Sequence, residues 1–182
     1  TEEVLQTLEQ NLNGIGHVII SGGEPTIQSL PLTGLLKALK KKGLKVTLET
    51  NGILYYPQLS NYVDFFSISP KLRASVPTPE KMAKMENPME GSLASQHESI
   101  RKNLDSIQKY INDCYEKDTY YSDVPDAPVR RSHEKDFQLK FVVSHPEEEQ
   151  EIKEEYLAHL ENVEPEDVVL MPLGSTRDIL KK

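Results

Sequence analysis

Four short polar runs in this sequence carry residue types that could hold and orient a small molecule. They are Ser21-Gly22-Gly23-Glu24-Pro25, Glu49-Thr50-Asn51-Gly52, Ser67-Ile68-Ser69-Pro70-Lys71 and Met171-Pro172-Leu173-Gly174-Ser175-Thr176-Arg177. Glycine lacks a β-carbon, so a Gly-Gly pair lets backbone come close to a ligand. Proline stiffens a turn. Taken singly, each run is ordinary: Gly-Gly after a strand is a turn, Asn-Gly is a common turn pair, and serine before proline opens loops. Their shared location is what matters. Each follows on a strand-like stretch, in order along the chain, and four polar strand ends describe a small-molecule pocket at one mouth.

The elements that must position these runs follow from hydrophobic spacing. Val4, Leu5, Leu8 and Leu12 recur at helical intervals ahead of Gly14 and Gly16. His17 to Ser21 is a short apolar run bounded by glycines, as a buried strand is. Leu35, Leu36 and Leu39 predict a helix over 32–42, with lysines in its last turn and Gly43 as its stop. Strands are expected at Leu44 to Glu49, Val63 to Ile68, Phe137 to Val143 and Asp167 to Met171. A long helix is marked by Ile100, Leu104, Ile107 and Ile111, and an acidic one spans Glu147 to Leu160. Residues 74–99 and 118–135 lack apolar periodicity and read as loops or insertions that bury little surface. Helices alternating with strands imply one α/β domain over 1–182, built on a parallel sheet. Five strands are visible, and a sixth is expected ahead of the opening helix. In such sheets ligands bind beyond the carboxyl ends of the strands, where the four polar runs fall.

Composition removes several function classes. The chain has 182 residues and a formal net charge of −8, which argues against binding a phosphate backbone or an anionic membrane surface. No apolar run is long enough to span a bilayer. One cysteine, Cys114, excludes a disulfide framework and any all-cysteine metal site drawn from these residues, and it reads as a packed small residue in a helix. The five histidines show no metal-ligand spacing. Lys40-Lys41-Lys42 reads as a solvated helix end, Glu147-Glu148-Glu149 as acids in a first helical turn, and Arg130-Arg131-Ser132-His133 as loop. Lys140 sits mid-strand in an apolar run, where it needs a partner; a carboxylate such as Glu49 and a ligand are equally good candidates. Thr1-Glu2-Glu3 reads as the interior of a helix.

The motifs are also those of a known family. Ser21-Gly22-Gly23-Glu24-Pro25-Thr26 resembles the GGEP motif of radical S-adenosylmethionine enzymes, and Leu48-Glu49-Thr50-Asn51-Gly52 resembles the strand-end motif that follows it. The run Ser67-Ile68-Ser69-Pro70-Lys71 narrows the resemblance to the 7-carboxy-7-deazaguanine synthase family. Lys140-Phe141-Val142-Val143 and Leu170-Met171-Pro172 are similar to its later strands. The resemblance spans nearly the whole chain apart from 74–99 and 118–135.

The resemblance implies a partial (β/α)6 barrel of radical S-adenosylmethionine type, with helices outside. It implies S-adenosyl-L-methionine, a 4Fe-4S cluster and Mg2+ as cofactors, the cluster and magnesium ligands lying in a CxxxCxxC segment expected ahead of Thr1. Without that segment this stretch is expected to be inactive. Cofactor-binding positions are then Gly22, Gly23, Glu24, Ser69, Pro70, Lys71, Met171, Pro172, Leu173 and Gly174. Glu24 would accept from the cofactor's ammonium group or fix the loop, and Lys71 would meet a carboxylate or ribose oxygen. Ser21 and Glu49 would contact substrate. The family converts 6-carboxy-5,6,7,8-tetrahydropterin to 7-carboxy-7-deazaguanine with loss of ammonia. Arg177 is a candidate for the substrate carboxylate, against a surface ion pair. A small pterin substrate, a reductase such as flavodoxin, a homodimer and a cytoplasmic location follow from the same likeness. Two alternatives stand beside this reading: another radical S-adenosylmethionine enzyme, such as a glycyl-radical activase, and a binding domain that keeps the pocket without a cluster.

Overall fold

The computed structural model describes residues 2–11, 14–76, 78–83, 96–97, 99–117 and 129–174. Seven strands are present among them: β1 (His17–Ile20), β2 (Lys45–Thr50), β3 (Phe65–Ile68), β4 (Tyr115–Lys117), β5 (Val129–Arg131), β6 (Asp136–Val143) and β7 (Val168–Pro172). Five form one sheet in the order β1-β2-β3-β6-β7, and every neighbouring pair is parallel. The helices are α1 (Glu2–Asn11), α2 (Ser29–Lys41), the single turns α3 (Pro57–Ser60) and α4 (Pro79–Met82), α5 (Leu104–Asn112) and α6 (Glu148–Glu155).

Strand alternation gives this sheet two unlike faces. Cross-strand register sets Ile20, Leu48, Phe66 and Phe137 in one row. That face carries Val46, Leu48, Phe66, Ile68, Leu139 and Phe141, all fully buried with Leu36 and Leu39 of α2, Ile107 and Ile111 of α5 and Ile152 of α6. The adjacent register row, on the other face, is polar: Glu49 pairs with Ser67 and Ser67 with Gln138. Gln138 Nε2 donates to Ser67 Oγ at 2.9 Å, and His17 Nε2 lies 2.8 Å from Thr47 Oγ1. The first face packs the sheet against its helices; the second carries these polar groups together with Ile19 and Phe65, which share the Thr47 row.

Helix ends are set locally. α2 stops where Gly43, at φ +74°, donates to Lys40 O while Leu44 N reaches Leu39 O at 3.2 Å, closing the last turn. α5 starts at Leu104, later than the spacing from Ile100 predicts. The Asn103 side chain caps it by accepting from Ser106 N at 3.1 Å, and Ile100 lies exposed. α6 ends at Glu155, short of Leu160, because Tyr156 leaves helical geometry and turns its ring onto Phe141, 5.3 Å between centroids.

Three polar stretches differ from their sequence reading. The Lys40–Lys42 end is not simply solvated: Lys40 Nζ donates to both oxygens of Asp64 at 2.7 and 2.8 Å, and Lys42 pairs with Glu9. Arg131 belongs not to a loop but to β5, an antiparallel partner of β4. Its guanidinium meets Asp136 and Asp167 and lies 4.6 Å from the Phe137 ring centre. Glu148 does more than favour a helix start, since its carboxylate accepts from the Ser144 and His145 amides. Cys114 is buried as expected, with its thiol donating to Tyr110 O at 3.5 Å. Most of the two proposed insertions, 84–95 and 118–128, lies outside the described residues.

Candidate functional site

Because the five strands run one way, the segments following them open at a single edge. A cavity of about 230 Å³ lies there. Ser21, Gly22, Gly23 and Glu24 approach it from the end of β1, and Glu49, Thr50 and Asn51 from β2. Ser69 and Lys71 follow β3, Lys140 and Val142 stand on β6, and Met171 on β7. Eight of the sequence-derived positions are thus brought together. Pro70 and Leu173 line a neighbouring cavity of about 270 Å³ that shares Lys71 and Val142 with the first, and Pro172 and Gly174 line neither. Arg177 lies outside the described residues. Thr50, Asn51 and Val142 also line the first cavity, although the sequence reading gives none of them a site role of its own. Thr50 and Asn51 belong to a run that reads as a turn, and Val142 follows from alternation with Lys140.

The β1 loop is held by Glu24. Its Oε1 accepts from Thr26 N (3.2 Å), Thr26 Oγ1 (2.6 Å) and Thr50 Oγ1 (2.8 Å), and its Oε2 accepts from Asn51 N (2.7 Å). Of the two roles open to it, these bonds fill the loop-fixing one: the carboxylate ties the end of β1 to the end of β2. Beyond it, Gly22 adopts φ +148°, which favours glycine. Among the described residues, and leaving aside its chain neighbours, a β-carbon on Gly23 would meet no atom within 4 Å, so the space beside that backbone is open.

The β2 turn is shut from behind. Gly52 takes φ +78°, and a β-carbon there would stand 2.8 Å from Ile68 Cγ2 and 2.9 Å from Ile107 Cγ1. Asn51 Oδ1 accepts from Ile53 N at 2.9 Å, and Ser69 N donates to Thr50 O at 2.7 Å, joining the β2 and β3 ends.

Besides Glu24, whose carboxylate is taken up by the loop, the charged groups lining the mouth are Glu49, Lys140 and Lys71. Ser21 Oγ donates to Glu49 Oε2 at 2.7 Å, and Lys140 Nζ donates to Oε1 at 3.3 Å. The Ser21 hydroxyl, helped by the hydrogen bond and charge of Lys140, holds the Glu49 carboxyl below the usual carboxylate range against the opposing effect of burial. Of the two partners open to Lys140, the carboxylate is therefore made. The Lys71 ammonium makes no hydrogen bond or ion pair among the described residues, while the Lys71 carbonyl accepts from Tyr156 Oη (2.8 Å) and Arg101 Nη1 (3.1 Å).

A larger groove, about 420 Å³, runs along β1 between α1 and α2, lined by Val4, Ile19, Leu32 and Leu35 and by no titratable side chain. Titratable side chains thus line the smaller mouth and not this groove. Among the described residues no group of three or more His, Cys, Asp and Glu could hold a metal ion. Burial pushes the Cys114 thiol up to about 12.

No family model matches the chain. A crystal structure of QueE from Escherichia coli superposes on 99% of this chain and 55% of its own, with a TM-score of 0.54 and 20% identity. Sheet and helices therefore share the fold of that structure, a mostly parallel α/β sheet with helices packed on one face. The sequence relatives are more specific. The 7-carboxy-7-deazaguanine synthase of Halobacterium salinarum is 31% identical over 172 residues, and that of Rhodopirellula baltica 30% over 173. Those alignments take in 92% and 95% of this chain but 55% and 53% of the relatives, so the chain spans about half their length. The enzyme of the same name from Hyperthermus butylicus is 55% identical over 40 residues. The chain is a homologue of the 7-carboxy-7-deazaguanine synthases, the family that its strand-end motifs resemble.

Proposed function

We propose that this chain forms the cofactor- and substrate-binding mouth of a radical S-adenosylmethionine lyase that converts 6-carboxy-5,6,7,8-tetrahydropterin to 7-carboxy-7-deazaguanine, a step of queuosine and 7-deazapurine biosynthesis. The observation that carries this reading is the meeting of Ser21 to Glu24, Glu49, Ser69 and Lys71 in one cavity at the strand ends. Their order and types match the family's, and the relatives bearing that name align along most of the chain.

The mouth suits S-adenosylmethionine. Open space beside Gly23 admits a ligand against bare backbone, and the Lys71 ammonium is available for a carboxylate or ribose oxygen. Gly22, Gly23, Ser69, Pro70 and Lys71 would hold the cofactor from two sides, with Met171 to Gly174 beside it. Glu24 keeps the first loop in place. Ser21 and Glu49 would face the substrate, whose ring N–H groups suit an ionised carboxylate. When bound, the cofactor and a reduced 4Fe-4S cluster supply radical chemistry at an unactivated C–H bond. The described residues do not fit the cluster, since the sequence has one cysteine and it is buried in the core, and among them no group of three or more His, Cys, Asp and Glu offers a metal ion a site. Ligands for both would come from sequence ahead of Thr1. A flavodoxin-type reductase, a homodimer and a cytoplasmic location complete the proposal. No helix among the described residues is long and apolar enough to cross a membrane.

The test uses the complete gene product, reconstituted with iron and sulfide without oxygen, given dithionite, S-adenosylmethionine and 6-carboxytetrahydropterin, and read by mass spectrometry. Formation of 5′-deoxyadenosine and the carboxy-deazaguanine is expected. Cofactor cleavage with the pterin untouched discards the substrate and keeps the enzyme class. Binding without cleavage, in a product with no cysteine triad, leaves the non-catalytic domain.

A further inference from the structure

We propose that Arg101 and Tyr156 are positioning residues for the Lys71 arm of the mouth, fixing from behind the backbone on which that lysine stands. The proposal rests on the cofactor-binding role given to Lys71 above.

The Lys71 carbonyl is the meeting point. Tyr156 Oη donates to it at 2.8 Å and Arg101 Nη1 at 3.1 Å. Arg101 arrives from the crossover between β3 and α5, and Tyr156 from the end of α6, so two elements remote in sequence converge on one backbone atom. The Arg101 side chain is 2% exposed. A guanidinium so buried is costly unless its donors are met. Here Nη1 also reaches Glu151 Oε1 at 3.1 Å and Nη2 reaches Glu155 Oε2 at 3.3 Å. The same two carboxylates hold the chain just beyond Lys71: Glu151 accepts from Arg73 N at 2.9 Å, and Glu155 pairs with the Arg73 guanidinium. On the other side, Ser69 N is tied to Thr50 O. The backbone is therefore held at 69, 71 and 73, and Leu72 between them is buried.

What is left free is the Lys71 side chain, which lines the mouth without a protein partner among the described residues. A flexible lysine on a fixed Cα samples a smaller volume than one on a mobile loop, and pre-organisation of this kind raises affinity by lowering the entropy lost on binding. Tyr156 suits the task. Its ring is buried against Phe141, and burial pushes its phenol up to about 12, so it remains a donor at ordinary pH.

A network that only glued α6 to the body would lower stability and leave ligand affinity alone, which gives the test. In the reconstituted complete gene product, S-adenosylmethionine affinity is measured by anaerobic calorimetry, and thermal midpoints alongside, for Tyr156→Phe, Arg101→Lys, Lys71→Met and Tyr156→Phe combined with Lys71→Met. Tyr156→Phe keeps the ring but removes the hydroxyl's bond to the Lys71 carbonyl and the bond it accepts from Arg101 Nη1 at 3.2 Å, and is expected to weaken binding about fivefold, on the order of 1 kcal/mol. With Lys71→Met already present it is expected to add nothing, since it acts through that side chain. Arg101→Lys, which retains charge but not the fork, is expected to follow Tyr156→Phe. A lower midpoint with unchanged affinity in Tyr156→Phe, or equal weakening with and without Lys71, overturns the clamp alone. Undiminished affinity in Lys71→Met removes Lys71 from the site and the clamp with it. If the parent protein binds the cofactor in none of these forms, the proposed function has failed first.

Discussion

Lys140 Nζ stands 3.3 Å from Glu49 Oε1, although β6 and β2 are not neighbours in the sheet. The lysine reaches across β3 on the polar face to meet a carboxylate that Ser21 already holds from the other side. Three strands thereby place one fixed negative charge at the mouth. The Ser21 hydrogen bond, and the hydrogen bond and charge of Lys140, all lower the Glu49 carboxyl. Ser21→Ala and Lys140→Met should therefore each raise its pKa. Carbon-13 titration of the Glu49 carboxyl in the two variants checks this, and an unchanged value in either one removes that partner from the site's electrostatics.

Glycine at 52 is required twice, by its φ of +78° and by the space its missing β-carbon leaves to Ile68 and Ile107. Gly43 has nearly the same φ, +74°, with nothing within 4 Å. Gly43→Ala should cost about 1 kcal/mol of strain alone. Gly52→Ala should cost about 2–4 kcal/mol, strain plus overpacking. Urea unfolding of both variants isolates the clash; equal losses would mean that Ile107 simply moves aside.

Much of this was legible in the sequence because alternation and function coincide there. In the stretch Lys45–Thr50, Val46 and Leu48 face the helices while Thr47 and Glu49 face the inner side, so one pattern reports both strand and site. The strand ends were readable for the same reason, polar turn residues after apolar runs. The hairpin of β4 and β5 was not, since three residues a side carry too little periodicity to separate strand from loop. Nor were the attachments of Arg101, Asn103 and Tyr110 to the carbonyls of Lys71, Ile53 and Leu54. Contacts between a side chain and a distant carbonyl leave no mark in local spacing. Lys40 was misjudged likewise: its partner, Asp64, lies 24 positions away.

Asp64 gives the pH prediction. Burial alone would raise its carboxyl, but Lys40, the Val46 amide and Lys45 together hold it below the ordinary 3.8. A carboxylate lowered in the folded state adds stability above its unfolded pKa and loses it as pH falls through the folded one. The loss should begin near pH 4, about the unfolded value, and deepen below it. Asp64→Asn removes this contribution, so its unfolding free energy should fall less than the parent's between pH 5 and pH 2.5, on the order of the range over which such a carboxyl titrates. Parallel acid limbs in urea titrations would clear Asp64 of the role.

Glu24 answers four donors with two oxygens. An amide in its place can accept on only one atom, so Glu24→Gln leaves at least one donor facing an NH₂ group. The expected cost is about 1–3 kcal/mol. The Asn51 amide should exchange with deuterium faster relative to core amides such as that of Leu48. Unchanged protection at Asn51 would show that the β1–β2 tie has another source.

Gly23 separates binding from folding. Its φ lies outside the left-handed region, and a β-carbon there would have no atom of the described residues within 4 Å beyond its chain neighbours. Gly23→Val should therefore keep its thermal midpoint to within a few degrees, because neither strain nor clash is introduced. If the methionine end of S-adenosylmethionine lies against this backbone, the valine occupies its place. Affinity in the reconstituted complete gene product should then fall at least about tenfold, on the order of 1.4 kcal/mol. Gly22→Val makes the contrast: at φ +148° the same side chain should also destabilise the fold. Calorimetry and thermal unfolding on both variants give four numbers. A Gly23→Val protein that is stable and binds the cofactor as tightly as the parent would remove Gly23 from the site. The cofactor would then have to lie elsewhere along the strand ends, nearer Ser69 and Met171.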